Sequence, residues 1–258
     1  MDLGIAGRKA IVCASSRGLG KACARYLAEA GCEVVVNGRD AKRLEATAAE
    51  LRASGAKITA VAADVATAEG QAALFAACPA PDILINNNAG PPLRDFRELN
   101  RQQMIDGVIA NMVVAIELIQ KAIDPMRQRK FGRIVNITSS TVKMPLAGLD
   151  LSSGARAGLT AFLAGIARTV AADNVTINNI LPGAFDTDRL RSTLSKNAET
   201  SGKSVTEVAA TRMSGIPAKR FGSPSEFGAA CAFLCSAQAG YITGQNLLID
   251  GGLFPGAL

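Results

Sequence analysis

Apolar residues return along this chain in two rhythms. Short unbroken runs at 9–14, 33–36, 58–62, 82–86, 133–138, 175–181 and 245–249 are too brief for helices and read as strands. Between them, at 21–30, 41–54, 67–78, 100–124, 153–172 and 225–235, apolar residues recur every three or four positions, which predicts helices. Strands apolar on both faces and separated by helices predict a parallel sheet covered on both sides. Right-handed crossovers then give a doubly wound α/β fold of about seven strands, with ligands at the carboxyl ends of the strands.

No linker-like stretch or internal repeat interrupts the pattern, so residues 1–258 are expected to form one domain. The weakest periodicity lies at 186–215, rich in Ser, Thr and Lys and directly after a strand end. A lid over the ligand is expected there, against the plainer reading of a surface insertion.

Composition narrows the chemistry. Hydrophobic residues make up 48% of the 258, enough for a sizeable core, and no apolar run is expected to reach bilayer-spanning length. Only eight residues precede the first strand, so no signal peptide is expected. All six cysteines fall within predicted elements or at their ends, which suggests buried thiols in a reducing cytoplasm. The chain has no histidine, which excludes Ser-His-Asp hydrolysis, histidine base catalysis and most catalytic zinc sites. Structural zinc is not expected either, since Cys231 and Cys235 have no second pair. The net charge of +6 is spread out and aromatics are only 4%, so no nucleic-acid surface is expected.

The first strand runs into Ser15-Ser16-Arg17-Gly18-Leu19-Gly20 and then a helix. Such a turn aims free backbone N–H groups and the positive helix end at one spot, which suits a phosphate. A second strand ending in Asn37-Gly38-Arg39 makes a nucleotide the preferred ligand.

Together, several segments resemble the short-chain dehydrogenase/reductase family over nearly the whole chain. Cys13 to Gly20 is similar to its Thr-Gly-x-x-x-Gly-x-Gly turn, with the first threonine and first glycine replaced. Asp64-Val65 matches its adenine-contacting pair, and Asn86-Asn87-Asn88-Ala89-Gly90 is a variant of its Asn-Asn-Ala-Gly motif. Asn111 stands where the family keeps an active-site asparagine; Leu181-Pro182-Gly183 with Thr187 resembles its nicotinamide-side loop, and Tyr241 to Gly252 its C-terminal signature. The resemblance implies a Rossmann fold and an NAD(P)-dependent oxidoreductase. NAD-preferring sites place a carboxylate after the second strand, whereas here Asn37 stands beside Arg39, with Arg17 in the turn. Two guanidinium groups favour a 2′-phosphate, so NADP(H) is the expected cofactor.

The family's central device is Ser…Tyr-x-x-x-Lys. Ser139 follows the fifth strand, but Ser152 occupies the tyrosine position and Arg156 the lysine position. Four-residue spacing keeps both on one helix face. An aliphatic hydroxyl is a far weaker acid than a phenol, and arginine cannot shuttle protons as lysine does. Losing a positioned general acid typically costs roughly 10²- to 10⁴-fold in rate. Hydride transfer can persist where Ser139, Ser152 and Arg156 polarise the substrate oxygen, with the proton from water or from Lys143.

Three readings follow: a carbonyl reductase or alcohol dehydrogenase with a Ser-Ser-Arg site, a nucleotide-binding sensor or partner protein without catalysis, or an NADP-dependent enzyme of another class, such as an epimerase or dehalogenase-like protein. Met144, Leu146, Leu149 and Phe185 are candidate pocket residues suited to an aliphatic or acyl carbonyl compound, or else ordinary core. The helix at 153–172 is rich in small residues, and the resemblance implies that it pairs with its symmetry mate in a homotetramer.

Overall fold

The computed structural model describes residues 2–91 and 93–256. Seven parallel strands form one sheet in the order β3-β2-β1-β4-β5-β6-β7. They are β1 (Lys9–Val12), β2 (Glu33–Gly38), β3 (Ile58–Ala62), β4 (Ile83–Asn86), β5 (Gly132–Ile137), β6 (Val175–Pro182) and β7 (Asn246–Ile249). The winding reverses between β1 and β4, so their carboxyl ends open a crevice between two diverging loops.

Helices cover both faces because successive strand residues point to opposite sides. Ala10 and Val12 of β1 join a core with α1 (Gly18–Glu29), α2 (Ala41–Arg52) and α9 (Pro224–Cys235), through Leu27, Leu44 and Phe227. Ile11 joins the opposite core with α3 (Ala68–Ala77), α5 (Val114–Gln128) and α6 (Asp150–Val170), through Leu74, Leu118 and Leu163. All six cysteines are buried and reduced.

Two expectations change. The helix expected at 100–124 runs from Arg101 to Gln128 with Pro125 inside it. It is built of α4 (Arg101–Val108), a π turn (Ile109–Val113) and α5. By length and composition alone it matches a membrane span, contrary to the reading of the sequence, yet Val114, Leu118, Ala122 and Met126 lie buried. The stretch at 186–215 is helical, as α7 (Asp188–Ser201) and α8 (Val205–Ser214). Its periodicity is faint because α7 buries only Leu190, Leu194 and Ala198, and α8 buries nothing. The caps hold the helices instead: Thr187 accepts from the Leu190 amide, and Ser204 with Glu207 forms a capping box.

At the amino end of the sheet, Arg133 is 1% exposed, yet each of its guanidinium nitrogens is bonded. Its Nε donates to the Ser236 carbonyl at 3.0 Å, its Nη1 to the Gly132 and Asn174 carbonyls at 2.9 Å, and its Nη2 to Asn174 Oδ1 at 3.2 Å. The guanidinium also stacks 4.4 Å from the Phe131 ring centroid.

Candidate active site

The glycine turn is held from within. Ser15 is fully buried, its hydroxyl donating to the Val12 carbonyl at 2.7 Å and accepting from the Asn37 amide at 2.9 Å. Asn37 spends its whole side chain on backbone: Oδ1 accepts from the Ala14 amide at 3.2 Å, and Nδ2 donates to the Val61 and Ala63 carbonyls. Both residues therefore shape the turn rather than extend a side chain from it. Ala14 adopts φ +45°, the left-handed region where the family resemblance puts a glycine. Holding it there costs of order 1–2 kcal/mol, which the Asn37 contact helps to offset.

Close packing explains the glycines. A β-carbon on Gly20 would sit 2.4 Å from the Ala14 carbonyl oxygen and 2.9 Å from Asn87 Nδ2. Gly18 has φ +57°, and the Thr187 methyl group lies 3.7 Å from where its β-carbon would be. The loop after β6 thus meets the loop after β1. Arg17 stands at the N-cap of α1 without a side-chain cap, whereas Asp40 and Thr67 cap α2 and α3. The first-turn amides of α1 are left for a ligand, as a phosphate site needs.

The other residues expected on the nucleotide side follow the carboxyl ends of neighbouring strands. Ser16 and Leu19 are half-buried beside this turn, and the Ser16 carbonyl accepts from Thr47 Oγ1 at 2.8 Å. Arg39 is exposed, with Nη1 3.7 Å from Asp64 Oδ2, while Val65 is buried. Asn87 Nδ2 donates to the Ala14 carbonyl at 3.2 Å, Asn88 Nδ2 to the Ala110 carbonyl at 3.0 Å, and Ala89 is exposed. Pro182 ends β6. A β-carbon on Gly183 would lie 2.7 Å from Asp250, so only glycine fits between β6 and the loop after β7.

On the opposite side, α6 packs against both the π turn and the short turn Ser140–Val142. Asn111 is 6% exposed; its Nδ2 donates to the Gly107 carbonyl at 3.0 Å and its Oδ1 is buried without a partner. A small cavity is lined by Asn86, Asn87, Asn88, Asn111, Asn136 and Arg156 and by apolar side chains that include Val114, Leu118 and Leu159. Ser139 Oγ accepts from the Thr141 amide at 3.2 Å and from Thr141 Oγ1 at 2.9 Å. With those acceptor sites filled, its own O–H is free to donate. Ser152 is 3% exposed and accepts from Arg156 Nη1.

Arg156 is itself buried, and burial together with the nearby Arg189 guanidinium pulls its pKa down to about 10. It remains a cation at neutral pH. Lys143 is half-buried, its Nζ 6.0 Å from the Phe254 ring centroid on the C-terminal tail. Tyr241 is fully exposed, and Tyr26 packs beside Gly228 of α9, so neither phenol stands in for Ser152. Phe185 is 5% exposed and packs edge-on against Phe227 at 5.3 Å, making it core rather than pocket lining. Met144 and Leu149 are half-buried and Leu146 is exposed.

One residue went unread in the sequence. Arg189, on the first turn of α7, reaches across to the loop after β4. Nothing in its sequence neighbourhood marks it, since the partner segment lies almost a hundred positions away.

The family described as enoyl-(acyl carrier protein) reductase matches residues 13–254. The NADPH-dependent reductase BacG of Bacillus subtilis is 34% identical over 95% of this chain and 97% of its own. The 3-oxoacyl-[acyl-carrier-protein] reductase FabG of Vibrio harveyi is 30% identical over 98% of this chain and 99% of its own. The chain belongs to the short-chain dehydrogenase/reductase family. It is an NAD(P)-dependent oxidoreductase by that membership. L-Sorbose reductase of Gluconobacter frateurii, solved with NADPH and L-sorbose, superposes with a TM-score of 0.94 at 29% identity, over 99% of this chain and all of the other.

Proposed function

We propose that the protein is an NADP(H)-dependent carbonyl reductase that works through Asn111, Ser139, Ser152 and Arg156 in place of a phenol and an amine. The observation that carries this reading is the buried Arg156–Ser152 hydrogen bond. The Ser152 oxygen is occupied as an acceptor, so its proton is available to a carbonyl oxygen, and the adjacent guanidinium stabilises negative charge there. Ser139 offers a second O–H from the end of β5. Both donors stand preorganised by protein contacts, so little reorganisation is needed as charge develops.

The nucleotide fits the uncapped α1 terminus and the close approach at Gly18 and Gly20. Arg17 and Arg39 are the side chains suited to a 2′-phosphate, with Asp64 and Val65 at the adenine side. Asn87, Asn88, Ala89, Pro182, Gly183 and Thr187 border the rest of the cradle. When bound, NADPH supplies the hydride. The proton is drawn from water, with Lys143 as the alternative source. Helices α7 and α8 act as the cover over this cleft. The printed names of the relatives, an NADPH-dependent reductase and a reductase solved with NADPH, support the cofactor choice.

The reduced buried thiols support a cytoplasmic location. Gly154 and Gly165 of α6 face open space beside the exposed Phe162, which supports a homotetramer built on that helix.

Single-turnover oxidation of NADPH with a panel of ketones tests the reductase reading. Measurable turnover that falls roughly 10²- to 10³-fold in R156M is expected. NADPH binding with no oxidation on any carbonyl would select the non-catalytic sensor instead. Unchanged turnover in K143A would leave water as the proton source.

A further inference from the structure

Gly90 lies between two cations. A β-carbon placed on it would sit 2.9 Å from Nη1 and 3.0 Å from Nη2 of Arg189, and 3.3 Å from Nη1 of Arg156. Arg156 reaches this point from α6, and Arg189 from α7. The two guanidinium ends are therefore near neighbours across the backbone of the loop after β4.

Nothing neutralises them. Among the described residues, neither arginine forms an ion pair with a carboxylate. Arg156 is 9% exposed, and among the described residues its side chain bonds only to Ser152. Arg189 is exposed, and among the described residues its guanidinium makes one long bond, of 3.5 Å, to the Pro91 carbonyl. Arg156, buried with most of its donors unused and a like charge beside it, is costly for the fold alone. The two arginines match one partner well, an anion with a planar pair of oxygens.

We infer that Arg156 and Arg189 together hold the carboxylate of an oxo-acid substrate, whose neighbouring carbonyl is presented to Ser152. This rests on the reductase reading and names its substrate class. Arg156 touches both centres, since the same Nη1 bonds Ser152 and approaches Gly90. The carboxylate and the carbonyl must then be separated by only a short carbon chain. In the reaction the ketone carbon gains a hydride from NADPH and the oxygen gains a proton from water. The products are a hydroxy acid and NADP⁺, and the carboxylate passes through unchanged.

The same anion chemistry is found in the pyrophosphate of the nucleotide, so the test separates the two sources. NADPH oxidation is measured with 2-oxobutyrate and acetoacetate against their methyl esters, in the intact protein and in R189A and R189K. A charged hydrogen-bonded contact is worth about 1.5–3 kcal/mol, so at least one acid should exceed its ester in kcat/KM by roughly tenfold or more. R189A should collapse that ratio by raising KM for the acid, and R189K should restore part of it. The dissociation constant for NADPH, read by fluorescence titration, should move far less. Acid no better than ester, or an NADPH affinity that falls as much as the acid's, would overturn the assignment. If neither acid nor ester nor any ketone of the panel is reduced, the reductase reading fails by itself. Calorimetry of oxamate on the NADPH-loaded protein then decides the anion site: binding lost in R189A sustains it, and no binding to the intact protein ends it.

Discussion

Arg133 and Arg156 are both buried arginines, at opposite ends of one sheet, and their surroundings could hardly differ more. Arg133 has every part of its guanidinium engaged, by three carbonyls, an asparagine oxygen and an aromatic face. Arg156 has one hydroxyl and a second arginine. Burial depresses the pKa of both. Burial alone therefore says nothing about function, whereas unspent donors do. A saturated cation holds elements together; an unsaturated one is held ready for something that arrives.

The strongest way to break this contrast is to remove each charge in turn. R133A leaves carbonyls of Ser236, Asn174 and Gly132 without their partner and opens a void. A loss of about 3 kcal/mol is expected, read as a fall in Tm of roughly 10 °C. R156M, with its large effect on turnover, should leave Tm unchanged or slightly higher, because it relieves desolvation and like-charge repulsion. A destabilisation by R156M equal to that of R133A would erase the distinction.

A titration sharpens it next. The protonated form of Arg156 is the one that polarises a carbonyl, and its pKa lies at about 10, below the ordinary arginine value. Charge is thus present below that point and lost above it. Turnover should be flat through neutral pH and fall with a midpoint near 10. Removing Arg189 takes away a like charge, so R189A should move that midpoint upward.

The smallest expected effect concerns a third kind of arginine. Arg39 is mostly exposed, in a loose pair with Asp64. R39A should alter stability by no more than about 0.5 kcal/mol. It should nonetheless weaken NADPH on the order of tenfold while leaving NADH nearly unaffected. Equal loss for both nucleotides would place the 2′-phosphate elsewhere.

How far the sequence carried these conclusions depended on whether the signal was periodic or spatial. Strands such as Ile83–Asn86 were legible to within one residue because fully buried strands are continuous apolar runs. The glycine turn was legible for a steric reason, since Gly18 and Gly20 sit where other side chains would collide or strain. Asn37 was located correctly in the chain, yet its amide turned inward to brace Ala14, which no local pattern encodes. Exposed helices α7 and α8 left almost no apolar stripe, so the stretch at 186–215 read as a lid without revealing its helices. Arg189 was silent because its meaning lies wholly in a neighbour brought close by folding.

The wide turn at Ile109–Val113 has a consequence for how this helix can change. It lets α4 and α5 answer to different constraints: Gly107 is fitted against Leu151 on α6, while the face running from Val114 to Met126 answers to the sheet. Deleting a single residue there would restore ordinary helical winding and rotate one half against the other by about 100°. Gly107 would swing away from Leu151, and the asparagine between the halves would no longer look into its cavity. The extra residue acts as a mechanical coupling, and the chain's length at that point is as much a part of the site as any side chain.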